Sequence, residues 1–268
     1  MALSTNKTAL SVNLNKIALI RNSRPGNNPD IVEYATKILA AGADGLTVHP
    51  RPDQRHIRPE DCYQLKALSA AKGIELNIEG NPFAGPCSSP RNDFSDYPGF
   101  LEILAQARPE QATLVPDSDA QLTSDHGFDL SGDNSQLESI IQKIHALDCR
   151  VSLFMDPDIE QINFAKAIGA DRIELYTGPY ADAYARSENN HSPEADALFK
   201  LHCKAAKHAS EIGLGVNAGH DLNLDNLQQY RDLPGLLEVS IGHALTLDSL
   251  EMGLNKTVDA YCKLLHGE

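Results

Sequence analysis

Residues 150–176 read RVSLFMDPDIEQINFAKAIGADRIELY, and this stretch decides the fold. Its two ends, Arg150–Met155 and Arg172–Tyr176, are short apolar-rich runs. In the second, Ile173 and Leu175 stand opposite Arg172, Glu174 and Tyr176, the period of two that a half-buried strand shows. Between the runs, Asp156-Pro157-Asp158 reads as a capping side chain ahead of a proline at the first helical position. Ile159, Ile162 and Ala165 then keep helical spacing, and Gly169 falls where a glycine ends a helix. Strand, helix and strand in this order predict two parallel strands joined by a helical crossover.

The pattern repeats outward from there. Residues 28–48, NPDIVEYATKILAAGADGLTV, echo the same unit with one residue more between proline and glycine. Asn28-Pro29-Asp30 opens the helix, Val32, Ala35 and Leu39 keep its spacing, and Gly42 closes it. Ser192-Pro193-Glu194 and Gly213 bracket a third helix in the same way. Candidate strands are Leu10–Asn15, Gly45–His49, Glu75–Glu79, Ala112–Pro116, Arg150–Met155, Arg172–Tyr176, Gly215–Asn217 and Glu238–Gly242, eight in all. The two echoing units are the first and the fifth. Eight strands alternating with helices predict an α/β protein of the (β/α)₈ TIM-barrel class. The chain's 268 residues suit a single barrel domain spanning 1–268, since such barrels take about 250.

Alternation along the strands says more. Val12 and Leu14 oppose Ser11, Asn13 and Asn15. Leu46 and Val48 oppose Thr47 and His49, Leu76 and Ile78 oppose Asn77 and Glu79, and Val239 and Ile241 oppose Glu238, Ser240 and Gly242. The apolar face must meet the helices, so the polar face points into the barrel. A polar interior is costly unless its groups pair or line a site. Two long loops follow strands, at 80–96 (rich in Pro, Ser and Gly) and at 117–134. Both belong on the catalytic rim, as a lid or as a surface insertion.

Composition removes several classes. With 23 basic and 37 acidic residues the net charge is −14, which argues against nucleic acid and anionic membranes as partners. The five cysteines form no C-x-x-C pair and read as reduced thiols, and no stretch has the length of a signal peptide or a membrane span. The expected location is the cytoplasm.

Barrel enzymes work at the C-terminal ends of their strands. Here those ends carry Asn13 to Lys16 running on towards Arg21 and Arg24; His49-Pro50-Arg51 with Arg55-His56; Asn77-Ile78-Glu79; Asn217-Ala218-Gly219-His220; and Ser240-Ile241-Gly242-His243. Four of the ten histidines gather on this rim. His49 beside Glu79 suits proton transfer, with His220 across the barrel as an opposing acid. The paired Gly-His endings of the last two strands fall where this fold commonly binds phosphate. Arg51, His56, Arg24 and Lys16 form a basic cluster in an acidic chain, suited to more than one anionic group. Arg172 and Glu238 lie lower in the barrel as a buried ionic pair, and Glu174 is a possible additional site residue. Metal spacing is missing: no H-x-H occurs at the first strand and no H-E-x-x-H anywhere.

The segments SVNLNKIALIRNSR, GLTVHPRPDQRHI, LNIEGNP, TLVPD, VSLFMDPD, RIELYTGPYA, VNAGHDLN and SIGHAL, in this order and over nearly the whole chain, resemble the pyridoxine 5′-phosphate synthase family. The resemblance implies a TIM barrel that condenses 3-amino-2-oxopropyl phosphate with 1-deoxy-D-xylulose 5-phosphate, without a cofactor, in a homo-octamer. It implies that His49 and Glu79 accept protons and His220 donates one. Asn13, Arg24, the backbone at Asp221 and the Gly242-His243 turn would contact the amino-ketone phosphate. Arg51, His56 and Thr123, with the Asn15-Lys16 segment, would contact the deoxyxylulose phosphate. This chain departs from the family in having Asn15-Lys16 for Asp-His, Asp221 where glycine is common, a longer 80–96 loop, and Ala244 to Ser249 for AIIGRA. Two other readings compete. One is another phosphosugar barrel, although an aldolase needs an inward lysine that no strand centre offers. The other is a non-catalytic phosphometabolite sensor, although decay should have removed His49, Glu79 or His220.

Overall fold

The computed structural model describes residues 7–89, 91–118, 121–186 and 192–267. The first six residues, read above for a signal peptide, and positions 90, 119 and 120 of the two long loops lie outside them. Eight parallel strands close into a barrel in sequence order: β1 (Ala9–Asn13), β2 (Gly45–Val48), β3 (Glu75–Gly80), β4 (Gln111–Leu114), β5 (Arg150–Met155), β6 (Arg172–Tyr176), β7 (Gly215–Gly219) and β8 (Leu236–Ile241). β1 pairs with β8 through Ser11↔Ser240, which closes the cylinder. The helices around it are α1 (Asn15–Asn22), α2 (Ile31–Ala40), α3 (Pro59–Lys72), α4 (Phe100–Ala107), α5 (Ser135–His145), α6 (Ile159–Ala167), α7 (Gly178–Ala185), α8 (Pro193–Glu211), α9 (Leu227–Tyr230), α10 (His243–Met252) and α11 (Leu254–His266). Among the described residues no helix is long and apolar enough to cross a membrane.

The echoing helices are α2 and α6, after the first and the fifth strand. Their starts differ from the sequence expectation by two residues. Asp30 and Asp158 are the capping residues, accepting from the amides of Glu33 and of Glu160 and Gln161, and both prolines precede the helix. Ser192 does cap α8 with Pro193 in its first turn. The apolar stripe of α2 is Ile31, Ala35 and Ile38 rather than Val32 and Leu39, and in α6 Ile159 stays exposed. Gly42, Gly169 and Gly213 all adopt positive φ just past their helices, the conformation that ends a helix without a steric penalty. The first strand also ends sooner than expected, because α1 begins at Asn15.

The strand alternation separates two layers. Leu10, Val12, Leu46, Val48, Leu76, Ile78, Leu153, Ile173, Leu175 and Val239 are fully buried between sheet and helices. Inside, most of the polar face is paired in a belt of side chains, the buried Ser152 hydroxyl on β5 being an exception among the described residues. Ser11 Oγ lies 2.6 Å from Thr47 Oγ1. The Thr113 hydroxyl is 3.0 Å from Asn77 Oδ1 and 3.5 Å from Glu174 Oε2. Lower down, Arg172 donates to Asn217 Oδ1 at 3.1 Å and to Glu238 Oε2 at 3.3 Å. Pairing of this kind removes the penalty for burying polar groups. A cavity of about 230 Å³ opens at this N-terminal mouth, lined by Ser11, Asn77, Arg172 and Glu238 among others.

Candidate active site

Because all eight strands run the same way, the residues that follow them share one mouth, opposite to that cavity. His49 follows β2, and its Nδ1 is 3.9 Å from Glu79 Oε2 near the end of β3. Asn13, closing β1, donates from Nδ2 to the same Glu79 oxygen at 3.4 Å. The Asn13 Oδ1 accepts from the Asn15 amide, and Asn15 Oδ1 accepts from the His49 amide, both at 2.9 Å. Asn15 is therefore the first residue of a helix that pins the end of β2, and not an inward strand residue as the alternation suggested.

The electrostatics of this corner follow from burial. His49 is held well below its ordinary pKa, first by burial and then by Arg51, with His56 and Arg55 adding to the effect. Burial pushes Glu79 well above the usual carboxylate range, helped by Glu174, Asp117 and Glu238 and opposed by Arg51. A histidine that burial holds towards its neutral form thus stands beside a carboxyl that burial pushes towards its protonated form, a pair suited to passing a proton. Glu174, deeper on β6, is pushed up to about 8, first by burial and then by Glu238. A side chain at Gly219 would strike Glu174 Oε1 at 2.4 Å, so the glycine ending β7 makes room for this carboxyl.

The basic segment after β2 is buried and tied down. Arg51 forms an ion pair with Asp117, and its Nη1 donates to the Gln121 carbonyl at 3.4 Å. His56 accepts the Ile57 amide at Nδ1 over 2.9 Å, and burial beside Arg51, Arg55 and Lys16 lowers its pKa to about 3. Buried Arg21 holds this turn from below. It pairs with Asp61 at 2.6 and 2.8 Å and donates to the His56 carbonyl at 3.0 Å. The 80–96 loop packs over the same segment: Gln54 donates to the Ser95 carbonyl at 2.8 Å, and the guanidinium groups of Arg58 and Arg91 lie 3.9 and 4.1 Å from the Phe94 ring.

Across the mouth, His220 follows β7. Its Nδ1 is 2.8 Å from Asp221 Oδ2, and its Nε2 is 2.6 Å from Thr123 Oγ1 in the 117–134 loop. His220 and Asp221 have φ of +80° and +58°. Thr177 lies against the carbonyls of Gly219 and His220, and the Tyr176 ring meets the imidazole edge-on at 5.4 Å. The carboxyl of Asp221 is held below the usual carboxylate range, chiefly by its hydrogen bond to His220. Next to it, α10 starts at His243 with Gly242 as its cap, and a side chain at Gly242 would come within 2.9 Å of Asn13 Cβ. The amides at this helix start open onto the rim beside Asn13, an arrangement suited to an anion.

These contacts join β8, β1, β3, β2, the 117–134 loop and β7 in one ring around the mouth. Lys16 and His243 stand on its border. Arg24 is not brought in: it is exposed on the turn after α1. The Asp117 side chain, a carboxylate three residues beyond the apolar strand β4, is a signal visible in the sequence that the expected site does not include. The contacts of Thr123, Tyr176 and Thr177 have no local signal, because they join segments far apart in the chain. Among the described residues no group of three or more His, Cys, Asp or Glu side chains is placed to hold a metal ion.

The likenesses to known proteins cover nearly the whole chain. The family model described as "Pyridoxal phosphate biosynthesis protein PdxJ" matches residues 10–267. The pyridoxine 5′-phosphate synthase of Xanthomonas axonopodis pv. citri (strain 306) is 54% identical over 259 residues, covering 96% of this chain and 96% of its own. That of Xylella fastidiosa (strain M23) is 48% identical over 260 residues, covering 97% and 95%. Among solved structures, thiamine phosphate pyrophosphorylase from Pyrococcus furiosus superposes with a TM-score of 0.58 at 13% identity, covering 98% of this chain and 97% of that one, a likeness of fold alone. The chain belongs to the PdxJ family of pyridoxal phosphate biosynthesis proteins.

Proposed function

We propose that the rim site performs the reaction for which the relatives are named, the synthesis of pyridoxine 5′-phosphate. The substrates are 3-amino-2-oxopropyl phosphate and 1-deoxy-D-xylulose 5-phosphate, and the products are pyridoxine 5′-phosphate, phosphate and water. An amine condenses with a ketone, water leaves, one phosphate is eliminated, and the ring closes and aromatises. Each step moves a proton, so several acids and bases around one cavity are the principal requirement and no cofactor is called for.

In this reading His49 and Glu79 are the proton acceptors and His220 the donor. His49, kept neutral by burial, can take a proton directly. Glu79, whose pKa burial raises, becomes a better base when an ammonium group enters beside it, because an opposite charge favours the carboxylate. Asn13, the Asp221 backbone and the Gly242-His243 turn bind one phosphorylated substrate, and Arg24, exposed on the turn after α1, reaches it only if that turn folds in. Arg51, His56, Thr123, Asn15 and Lys16 bind the other. Glu174, with a pKa of about 8, is a further acid beneath the ring. Residues 1–268 act as one catalytic domain in which the 80–96 and 117–134 loops form the rim. The enzyme works in the cytoplasm as a homo-octamer. The exposed apolar residues Leu19 and Ile20 on α1 and Leu247, Leu250 and Met252 on the adjoining α10 are surface for such contacts.

The observation that carries this reading is the facing of the His49–Glu79 pair and His220 across one mouth. Incubation with both substrates tests it. Pyridoxine 5′-phosphate should form with the wild type and be lost in Glu79→Gln and in His220→Ala. A fully active His49→Ala/Glu79→Gln double variant would overturn the acid–base assignment.

A further inference from the structure

We infer that Asp221 is a positioning residue for His220, setting which ring nitrogen carries the proton and holding the ring ready to donate from Nε2. The inference rests on the reading of His220 as the proton donor. An ionised carboxylate only accepts hydrogen bonds, so across the 2.8 Å contact it is Nδ1 of His220 that carries hydrogen. In the neutral ring Nε2 is then the free lone pair, and it accepts the Thr123 hydroxyl at 2.6 Å. When Nε2 takes a second proton, the imidazolium lies against a carboxylate that balances its charge. The Thr123 oxygen occupies the position at Nε2 from which a substrate oxygen would receive that proton, so substrate must displace Thr123 before His220 can act.

The backbone aims the carboxylate. His220 and Asp221 both sit at positive φ, a region that residues with side chains rarely adopt and that Asp tolerates better than most. The turn is fixed by Thr177 against the two carbonyls and by Asn226 Nδ2, which donates to the Asp221 carbonyl at 3.1 Å. The Tyr176 ring at 74° to the imidazole blocks rotation on its side. The other charged groups acting on the Asp221 carboxylate are His243 and Lys16, both cationic or able to become so, and both favour its ionised form. The ring is therefore gripped at Nδ1, at Nε2 and at its edge, and only the Nε2 contact comes from a loop that a substrate can displace.

Two substitutions separate this role from that of a simple turn residue. Asp221→Gly keeps the backbone amide and suits a φ of +58°, so the turn survives. Asp221→Asn keeps an acceptor oxygen without the charge. With the full chain and both phosphorylated substrates, kcat in Asp221→Gly should fall roughly ten- to a hundredfold, with each KM within about twofold of wild type. Asp221→Asn should recover part of the loss. In ¹⁵N-histidine NMR, the His220 ring, assigned by its disappearance in His220→Ala, should leave the Nδ1–H tautomer in Asp221→Gly. Unchanged kcat together with an unchanged His220 tautomer would overturn the inference, as would a loss confined to KM. A fully active His220→Ala would overturn the underlying reading of the site as well, whereas an inactive His220→Ala with an unimpaired Asp221→Gly would overturn this inference alone.

Discussion

The two sides of the barrel mouth are built on opposite principles. On the β2 side, His49, Arg51 and His56 are 6%, 5% and 9% exposed, and every one of them is tied to backbone or to a buried carboxylate. On the β7 side, the His220 and Asp221 side chains keep 19% and 44% of their surface, on a turn held at positive φ. Burial on the first side holds both histidines below their ordinary pKa, that of His56 at about 3, and keeps Arg51 pointing one way. On the second side the His220 ring is held by hydrogen bonds to Asp221 and Thr123 and is not sealed from solvent. A buried, pre-set corner faces a more exposed one, and the proposed reaction, which must both grip phosphate and move protons, has use for each.

The comparison can be broken most sharply at its buried corner. Glu79→Gln removes the titrating partner of His49 and should lower turnover by about 10²–10⁴-fold, measured as pyridoxine 5′-phosphate formed per enzyme with circular dichroism unchanged. Wild-type turnover in that variant would end the idea of a proton-transfer pair on the β2 side. Arg51→Met should raise the KM for deoxyxylulose phosphate and also cost about 3–5 kcal/mol of stability, because buried Asp117, whose Oδ1 has no partner among the described residues, loses its counter-charge. Adding Asp117→Asn should restore much of the melting temperature and none of the KM.

Two smaller effects are read from pH. The folded His56 titrates at about 3 against an ordinary 6.5, so its contribution to stability is complete above 6.5 and drains away as pH falls towards 3. His56→Asn, which keeps an acceptor for the Ile57 amide, should therefore unfold with a shallower acid limb than the wild type in urea titrations across that window. Glu174 runs the other way. Its folded pKa of about 8 lies above the ordinary 4.5, so the stability it contributes is present below 4.5 and is lost as pH rises to about 8. Glu174→Gln should melt above the wild type at about pH 9 and close to it at about pH 4.5. Equal melting points at both ends would mean that Glu174 is not buried as an acid.

Much of this was legible in the chain. Period-two alternation reports which face of a strand meets helices, and it separated Leu76 and Ile78 from Asn77 and Glu79 without any tertiary information, because the pleat alone sets the direction of each side chain. Glycines at 42, 169 and 213 marked helix ends because left-handed backbone is a local requirement. With the barrel in hand, His49, Glu79 and His220 fell on one rim by strand polarity. Element boundaries were less legible. Asn15 belongs to α1, and the caps are Asp30 and Asp158, since a proline two residues ahead of a helix looks in sequence like one inside it.

What the sequence determined by itself is therefore whatever depends on neighbours along the chain: strand phase, helix ends, the order of units, and the residue types available at each strand end. Tertiary structure alone decided which of those residues meet. Thr123 reaches His220 across 97 positions, and Arg51 finds Asp117 across 66, because closing the cylinder brings remote loops within hydrogen-bonding distance. The protonation states of His49, His56, Glu79 and Glu174 were decided at the same moment, since a pKa depends on the water that folding removes and on the charges that it brings near.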